Sequence, residues 1–120
     1  MRPSLSEVKA DLFKGLAHPV RIRVLELLHD AEPGELSVGE LLAQTGLEAS
    51  HLSQHLAVLR RYRLVESDRR GSQVYYRLAY ANVGGLLDVS RALLAEVLET
   101  THSDATAHLE EQQEAARWVR

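Results

Sequence analysis

The chain has 120 residues, 45% of them hydrophobic, and a formal net charge of −3. This length is typical of one domain, and the composition excludes a disordered or fibrous protein. The absence of cysteine excludes disulfides and thiolate metal sites. No apolar run approaches the ~20 residues that span a bilayer, and no signal-peptide pattern is present, so we expect a cytoplasmic protein without a membrane partner.

The first two predicted helices are separated by a short break. Apolar residues at helical spacing predict a helix over residues 5–16, with Ser4 or Ser6 as its cap. Pro19 is suited to the first position of a second helix, and His18 directly before it is suited to cap that helix.

A loop and a short third helix follow. Residues 30–35 contain proline and glycine and predict a loop. Ser37, with Glu40 three residues later, has the spacing of a capping box, and Leu41 begins the buried side of the helix. Gly46 is suited to end it, because glycine adopts the positive φ of a helix terminus.

The fourth predicted helix, over residues 49–62, is the candidate for DNA recognition. Leu52, Leu56 and Leu59 recur at the spacing of one buried helix face. The opposite face carries short or planar polar groups and a basic end, which suit a DNA major groove. A helix, a glycine-containing turn and a second helix form the helix-turn-helix arrangement.

Charge is distributed unevenly along the chain. Residues 47–79 contain six basic and three acidic residues, whereas residues 1–46 sum to −2 and residues 80–120 to −4. Screening limits the reach of charges to about 10 Å, so a local excess acts locally. The middle segment is therefore the candidate for contact with DNA, and the acidic C-terminal third is expected to face away from it.

Two strands and a long helix complete the predicted elements. Residues 64–68 and 73–78 predict a hairpin, and residues 69–72 form its basic connection. Residues 82–101 predict a last helix, followed by a polar tail. We therefore expect a DNA-binding and dimerisation domain over residues 1–101 and a polar extension over residues 102–120, with helical spacing of its few apolar residues.

The apolar stripe of the last helix is wider than one small domain needs. Together with the stripe of the first helix it predicts a dimer interface, because helix-turn-helix proteins bind two half-sites through two-fold symmetry. The alternative is a deeper intramolecular core. The predicted interface residues are Leu5, Val8, Leu12, Leu86, Leu93, Leu94, Val97 and Leu98.

Four segments of this chain resemble the ArsR/SmtB family of small bacterial winged-helix repressors. They read FKGLAHPVRIRVLELL, LSVGEL, SQHLAVLR and GSQVYYRL, in the order and spacing of the family. The resemblance implies a winged helix-turn-helix fold, mainly α with a small β-hairpin between the fourth and fifth helices. It also implies a homodimer that represses its own operon and leaves the DNA when an inducer binds.

We predict that the fourth helix and the hairpin, or wing, contact double-stranded operator DNA. The alternatives are a solvated helix face, a solvated hairpin turn and, for His55, a position behind the helix. Interaction with the helix dipole is a sufficient structural reason for Arg61. The predicted DNA-binding residues are Ser50, His51, Ser53, Gln54, His55, Arg61, Arg69, Arg70, Ser72 and Gln73.

Metal sensing is the alternative function. The chain has Ser37 and Gly39 where metal-sensing relatives often carry cysteines, and Ser90 follows Asp88 where another branch has histidine. Some oxygen and nitrogen ligands remain on and after the last helix, and they would suit Zn²⁺, Ni²⁺ or Co²⁺. The candidate set is Asp88, His102, Asp104 and His108. The competing interpretation is a solvated acidic helix end.

A protein-interaction module that has lost DNA binding is a further alternative, although the basic middle segment argues against it. We do not expect an enzyme, because no motif sets a nucleophile beside a base. The sequence therefore predicts a homodimeric transcriptional regulator of the winged helix-turn-helix class that binds an inverted repeat.

Overall fold

The computed structural model describes residues 2–105, and side chains through Thr101. The elements have the order expected of a winged helix-turn-helix protein, with one additional strand. They are α1 (Leu5–Leu16), α2 (Pro19–Asp30), β1 (Glu35–Ser37), α3 (Val38–Thr45), α4 (Ala49–Arg61), β2 (Val65–Arg70), β3 (Gln73–Leu78) and α5 (Ala81–Ala105).

The starts of three helices follow from local sequence, as predicted. Ser4 and Glu7 form a capping box on α1, and Ser37 and Glu40 form one on α3. His18 precedes Pro19 and caps α2, because its ring Nδ1 accepts a hydrogen bond from the backbone amide two residues on. Each of these caps satisfies backbone amides that have no partner within the helix.

The core of the winged domain is aliphatic, and the predicted buried face of α4 belongs to it. Burial of each leucine or valine contributes about 1.5–3 kcal/mol, so this cluster is the main source of stability. The fully buried side chains are Val24, Leu25, Leu28, Leu41, Leu52 and Leu59.

The sheet has three strands where the sequence predicted two. β1 pairs antiparallel with β3, and the sheet order is β1-β3-β2. Residues 30–35 were expected to form a loop, yet Glu35 lies opposite Arg77 and Ser37 lies opposite Tyr75. A strand of three residues is too short to show an alternating pattern, and its pairing with a distant segment is what defines it.

The wing turn is tighter than predicted. β2 extends to Arg70, so Arg69 and Arg70 are strand residues and not part of a loop. The turn consists of Gly71 and Ser72, and Gly71 has a φ of 63°. Because successive strand residues point to opposite faces, the two arginines lie on different sides of the sheet.

The end of α1 lies close to the end of α4. A Cβ added at Gly15 would lie 2.6 Å from Cγ of Tyr62, so only glycine allows this approach. Tyr62 follows directly after the last residue of α4. The contact fixes the distance between these two helices.

The chain separates into two compact units, one ending at Gly84 and the other beginning at Gly85. In the second unit, α5 exposes Val89 (65%), Leu93 (57%) and Leu94 (38%). Residues 106–120, most of the predicted polar extension, lie outside the described residues. No helix in the described part of the chain is long and apolar enough to cross a membrane.

Candidate nucleic-acid interface

One face of α4 is exposed and polar, as the sequence pattern predicted. It begins after the turn of Gly46, which has a φ of 70° and ends α3. The opposite face is buried against the core through leucines. The side chains on the exposed face are Ser50, His51, Ser53, Gln54 and, at the basic end of the helix, Arg61.

Hydroxyl, imidazole, amide and guanidinium groups are therefore presented along α4. Within the described residues, Ser50, Ser53 and Gln54 form no hydrogen bond through their side chains, so their donors and acceptors are available to a partner. Arg61 lies with its guanidinium carbon 5.7 Å from the centre of the Tyr62 ring. Such groups can bond to base edges and phosphates.

For His55, the sequence left open a contact with DNA or a position behind the helix, and the structure favours the second. Its side chain is only 8% exposed and lies on the buried side of α4. Its ring centre is 4.2 Å from that of His18 and 5.2 Å from that of His51. Burial, and then the neighbouring His18, Arg21 and His51, lower the pKa of His55, so the ring is neutral near pH 7.

The two wing arginines have different surroundings. Arg69 is exposed and forms no ion pair with any described residue, so its guanidinium is available. Arg70 donates from Nη1 and Nη2 to both carboxylate oxygens of Glu35, at 2.6 and 2.7 Å, and from Nε to Asp68 at 3.1 Å. Its guanidinium carbon lies 4.4 Å from the centre of the Tyr75 ring.

Arg70 therefore crosses the sheet from β2, over β3, to β1. The hydrogen bonds from Arg70 lower the pKa of Glu35, and those to Glu35 and Asp68 raise the pKa of Arg70. With its donors engaged in this way, Arg70 is a strap across the wing and not a free cation. Its predicted contact with DNA stays a prediction, which these internal bonds disfavour.

A second arginine neutralises the same side of the sheet. Arg77 donates to Glu66 at 3.0 Å and to Asp68 at 3.3 Å. At the wing tip, Ser72 and Gln73 are exposed, and the hydroxyl of Tyr75 donates to Oε1 of Gln73 at 2.9 Å. A shallow cavity of about 320 Å³ separates the wing from the start of α3; its lining includes Ser37, Gly39, Arg69, Ser72 and Gln73.

The predicted metal set is only partly described. Asp88 is exposed on α5, whereas the side chains of His102 and Asp104, and all of His108, lie outside the described residues. Among the described residues, no group of three or more histidine, cysteine, aspartate or glutamate side chains is arranged to hold a metal ion. The metal set stays a prediction that titration with Zn²⁺, Co²⁺ and Ni²⁺ would test.

The sequence reading missed Arg21 and Tyr62, which hold α4 from behind. Arg21 is half-buried and reaches both α1 and α4. Its position two residues after Pro19, among apolar residues, places it on α2 but does not indicate which neighbour it contacts. A single sequence therefore gave no signal for this role.

Comparisons with known proteins agree with this architecture. A helix-turn-helix domain family matches residues 16–68. The uncharacterized HTH-type transcriptional regulator Rv0081 of Mycobacterium tuberculosis is 48% identical over 108 residues, 89% of each chain. Its crystal structure covers 82% of this chain and 97% of its own, with a TM-score of 0.74 and 47% identity.

Two further relatives carry more informative names. The biofilm growth-associated repressor of Xylella fastidiosa is 43% identical over 79 residues, 66% of this chain and 67% of its own. The solution structure of Mb0332 from Mycobacterium bovis is described as a homodimeric winged helix-turn-helix DNA-binding domain of a possible ArsR-family regulator. It is 32% identical, covers 80% of this chain and 86% of its own, and has a TM-score of 0.70.

Proposed function

Because this chain belongs to the ArsR/SmtB family of DNA-binding winged helix-turn-helix transcriptional regulators, we propose that it is an autoregulatory repressor. It binds an inverted-repeat operator as a homodimer and leaves the DNA when an inducer binds. Its resemblance to a named repressor, at 43% identity, supports the direction of regulation.

The exposed face of α4 is the observation that carries this proposal. Gln54 presents both a donor and an acceptor, the pair of groups that recognises N6 and N7 of adenine in the major groove. Ser50 and Ser53 can each bond to a base edge or to a phosphate, and His51 lies between them. These groups supply selectivity for sequence.

The wing supplies contacts that do not depend on sequence. Arg69 is exposed and uncommitted, and Ser72 and Gln73 lie at the same tip. In the proposal they contact phosphates or the minor groove beside the site of α4. Arg61, at the end of α4, provides a second cation for the backbone. Arg70 holds the wing in shape and takes no part in binding.

Exposed apolar side chains support a homodimer. On α1, Leu5 and Phe13 are 68% and 53% exposed, and on α5, Val89 and Leu93 are exposed by more than half. Large exposed apolar side chains on a helix of a small protein are typical of an interaction surface. The homodimeric relative Mb0332 makes a second copy of this chain the expected partner. The predicted interface residues Leu86, Val97 and Leu98 are half-buried and stay part of this proposal.

Selection of duplexes from a random-sequence pool tests the proposal. A dimer of this kind enriches an inverted repeat whose half-site centres lie about 10–10.5 base pairs apart. Fluorescence anisotropy on the enriched duplex then gives Kd, and sedimentation gives the stoichiometry of the complex. Enrichment of no sequence, with no duplex binding at low salt, would favour the protein-interaction alternative.

A further inference from the structure

Arg21 joins three helices through its guanidinium group. From α2, its Nε donates to the carbonyl of Gly15 at 2.7 Å, and its Nη2 donates to the carbonyl of Lys14 at 3.0 Å. Both carbonyls are in the last turn of α1, where partners four residues on are lacking; the carbonyl of Lys14 also accepts from the backbone amide of Ala17 at 3.3 Å. Its Nη1 lies 3.4 Å from Nδ1 of His55 in α4. One side chain thus caps α1 and reaches the back of the recognition helix.

α1 and the end of α4 meet again at Tyr62, about two helical turns beyond His55. The ring of Tyr62 packs against the backbone at Gly15, where no side chain intervenes. The end of α1 is therefore in contact with α4 at Tyr62 directly and at His55 through Arg21. These two contacts act beside the buried leucines of α4, so the junction contributes to the angle at which α4 presents its exposed face.

Among the described residues, the titratable and charged groups that act on His55 are all basic. From α2, His18 and Arg21 face the ring, and from α4 itself His51 does. α1 contacts Arg21 through two backbone carbonyls. Among the described residues, no carboxylate interacts electrostatically with the His55 ring. A positive charge on His55 would have no counterion in this place.

The hydrogen bond fixes the protonation state that the junction needs. A guanidinium nitrogen can only donate, so Nδ1 of His55 must accept and the ring proton must be on Nε2. A second proton on the ring would turn Nδ1 into a donor that faces another donor. The contact between Arg21 and His55 would then become a repulsion between two cations, in a site of reduced solvent access.

We propose that Arg21 and His55 are positioning residues for DNA recognition, and that protonation of His55 releases α4 and weakens DNA binding. This rests on the proposed contact of α4 with the operator. Neither residue touches DNA. Arg21 acts through His55, and His55 acts through the orientation of the helix that carries Ser50, Ser53 and Gln54.

The sign of the effect separates this junction from ordinary charge effects. His51 is an exposed imidazole on the face proposed to meet DNA. Added positive charge strengthens binding to phosphates. A protein without the junction would therefore bind DNA more tightly on acidification, whereas the junction requires weaker binding.

The test measures Kd by fluorescence anisotropy, using the duplex that wild-type protein selects from a random pool. Wild type, His55→Gln and His51→Gln are compared from about pH 8 to about pH 5.5 at constant salt, the range in which histidine titrates. Glutamine at position 55 can still accept from Arg21 but cannot be protonated. Circular dichroism at each pH monitors the fold.

In wild type, Kd is expected to rise severalfold towards pH 5.5 without loss of helical signal, because the pKa of His55 is lowered and only part of its titration falls within this range. The rise in Kd should persist in His51→Gln, which keeps His55, and should be absent in His55→Gln. Tighter or unchanged wild-type binding at low pH, an equal rise in His55→Gln, or a rise that follows global unfolding would overturn the proposal. Absence of a selected duplex at pH 8 would instead refute the proposed function itself.

A second set of variants tests whether Arg21 and His55 act together. Arg21→Met and His55→Leu, which removes the acceptor that glutamine would keep, are each expected to raise Kd at about pH 8, and the double variant should raise it by less than the product of the two. Multiplicative effects would show that the residues act separately. If Arg21→Met does not fold, Arg21→Lys replaces it, because lysine keeps the charge but cannot reach two carbonyls and a ring at once.

Discussion

The exposed face of α4 and the strapped side of the wing are both polar, but they differ in whether their side chains have partners within the protein. On α4, Ser50, Ser53 and Gln54 have no side-chain partner among the described residues. On the wing, Arg70 and Arg77 are both bonded to carboxylates of the same sheet. A basic or polar residue near DNA is therefore informative only once its internal partners are known.

The difference is sharpest between two neighbours in sequence. Arg69 and Arg70 contribute equally to the positive charge of residues 47–79. Because successive strand residues point to opposite faces, Arg69 is exposed without an ion pair among the described residues, whereas Arg70 is bonded to Glu35. Counting charge indicated the region proposed to bind DNA, but it could not distinguish a cation available for binding from one engaged within the protein.

The largest expected effect contrasts the two faces of α4 itself. Leu59→Ala removes a fully buried side chain and should lower the free energy of unfolding by about 2–5 kcal/mol. Ser53→Ala, on the exposed face, should change it by less than about 0.5 kcal/mol. Urea unfolding at one fixed protein concentration measures both. Equal losses would mean that the exposed face also packs against protein.

The second-largest expected effect is on the base selectivity of the exposed face of α4. Gln54→Ala should lose about 1–3 kcal/mol of discrimination at one base position, while binding to unrelated duplexes stays the same. Kd values on single-base variants of the selected site measure this. Asn82→Ala removes an exposed amide at the start of α5 and is the matched control. Discrimination that survives in Gln54→Ala would take this residue out of the interface.

The wing arginines give a smaller and more diagnostic contrast. Arg69→Ala should weaken binding to all duplexes alike and reduce the slope of log Kd against log salt by about 1. Arg70→Ala should leave that slope unchanged and lower the melting temperature, because it removes the strap across the sheet. Anisotropy over a salt series and a thermal melt test the pair. A reduced slope in Arg70→Ala would return that residue to the DNA interface.

The smallest expected effect is the pH dependence of the strap. The pKa of Glu35 is lowered in the folded protein, so its contribution is present above about pH 4.5 and is lost as the pH falls through the lowered pKa. The difference in melting temperature between wild type and Glu35→Gln should therefore shrink below that pH. His55 is present in both proteins, so its titration affects both melting temperatures alike and does not change their difference. A difference that is constant with pH would argue against the ion pair.

Local signals carried most of the predicted fold. The capping box of α3, the His18 cap and the buried stripe of α4 depend on residues within one or two turns, and all were predicted; for α1 the sequence predicted a cap at Ser4 or Ser6, and the structure has Ser4 with Glu7. Gly46 was also identified as the end of α3. These features follow from backbone satisfaction and helical periodicity, which are properties of a short stretch of chain.

The structural features that the sequence did not predict depend on residues that are distant in the chain. β1 exists because residues 35–37 pair with β3, some forty positions away. The burial of His55 depends on His18 and Arg21, and the role of Arg70 depends on Glu35. In each case the residue type was compatible with two environments, and the tertiary fold chose between them. The proposed contacts with DNA remain predictions of the same kind.

Ser37 ends β1 and also caps α3, so the sheet passes into the helix-turn-helix without a linker. The sheet that contains the wing is thereby joined to α3 before any partner arrives, because β1, which pairs with the wing strand β3, leads directly into that helix. Ordering a loop on association costs conformational entropy, and a wing built in this way avoids that cost. Association should then be limited by encounter and orientation, and amide exchange at Leu36 should be equally slow in the free protein and in the complex.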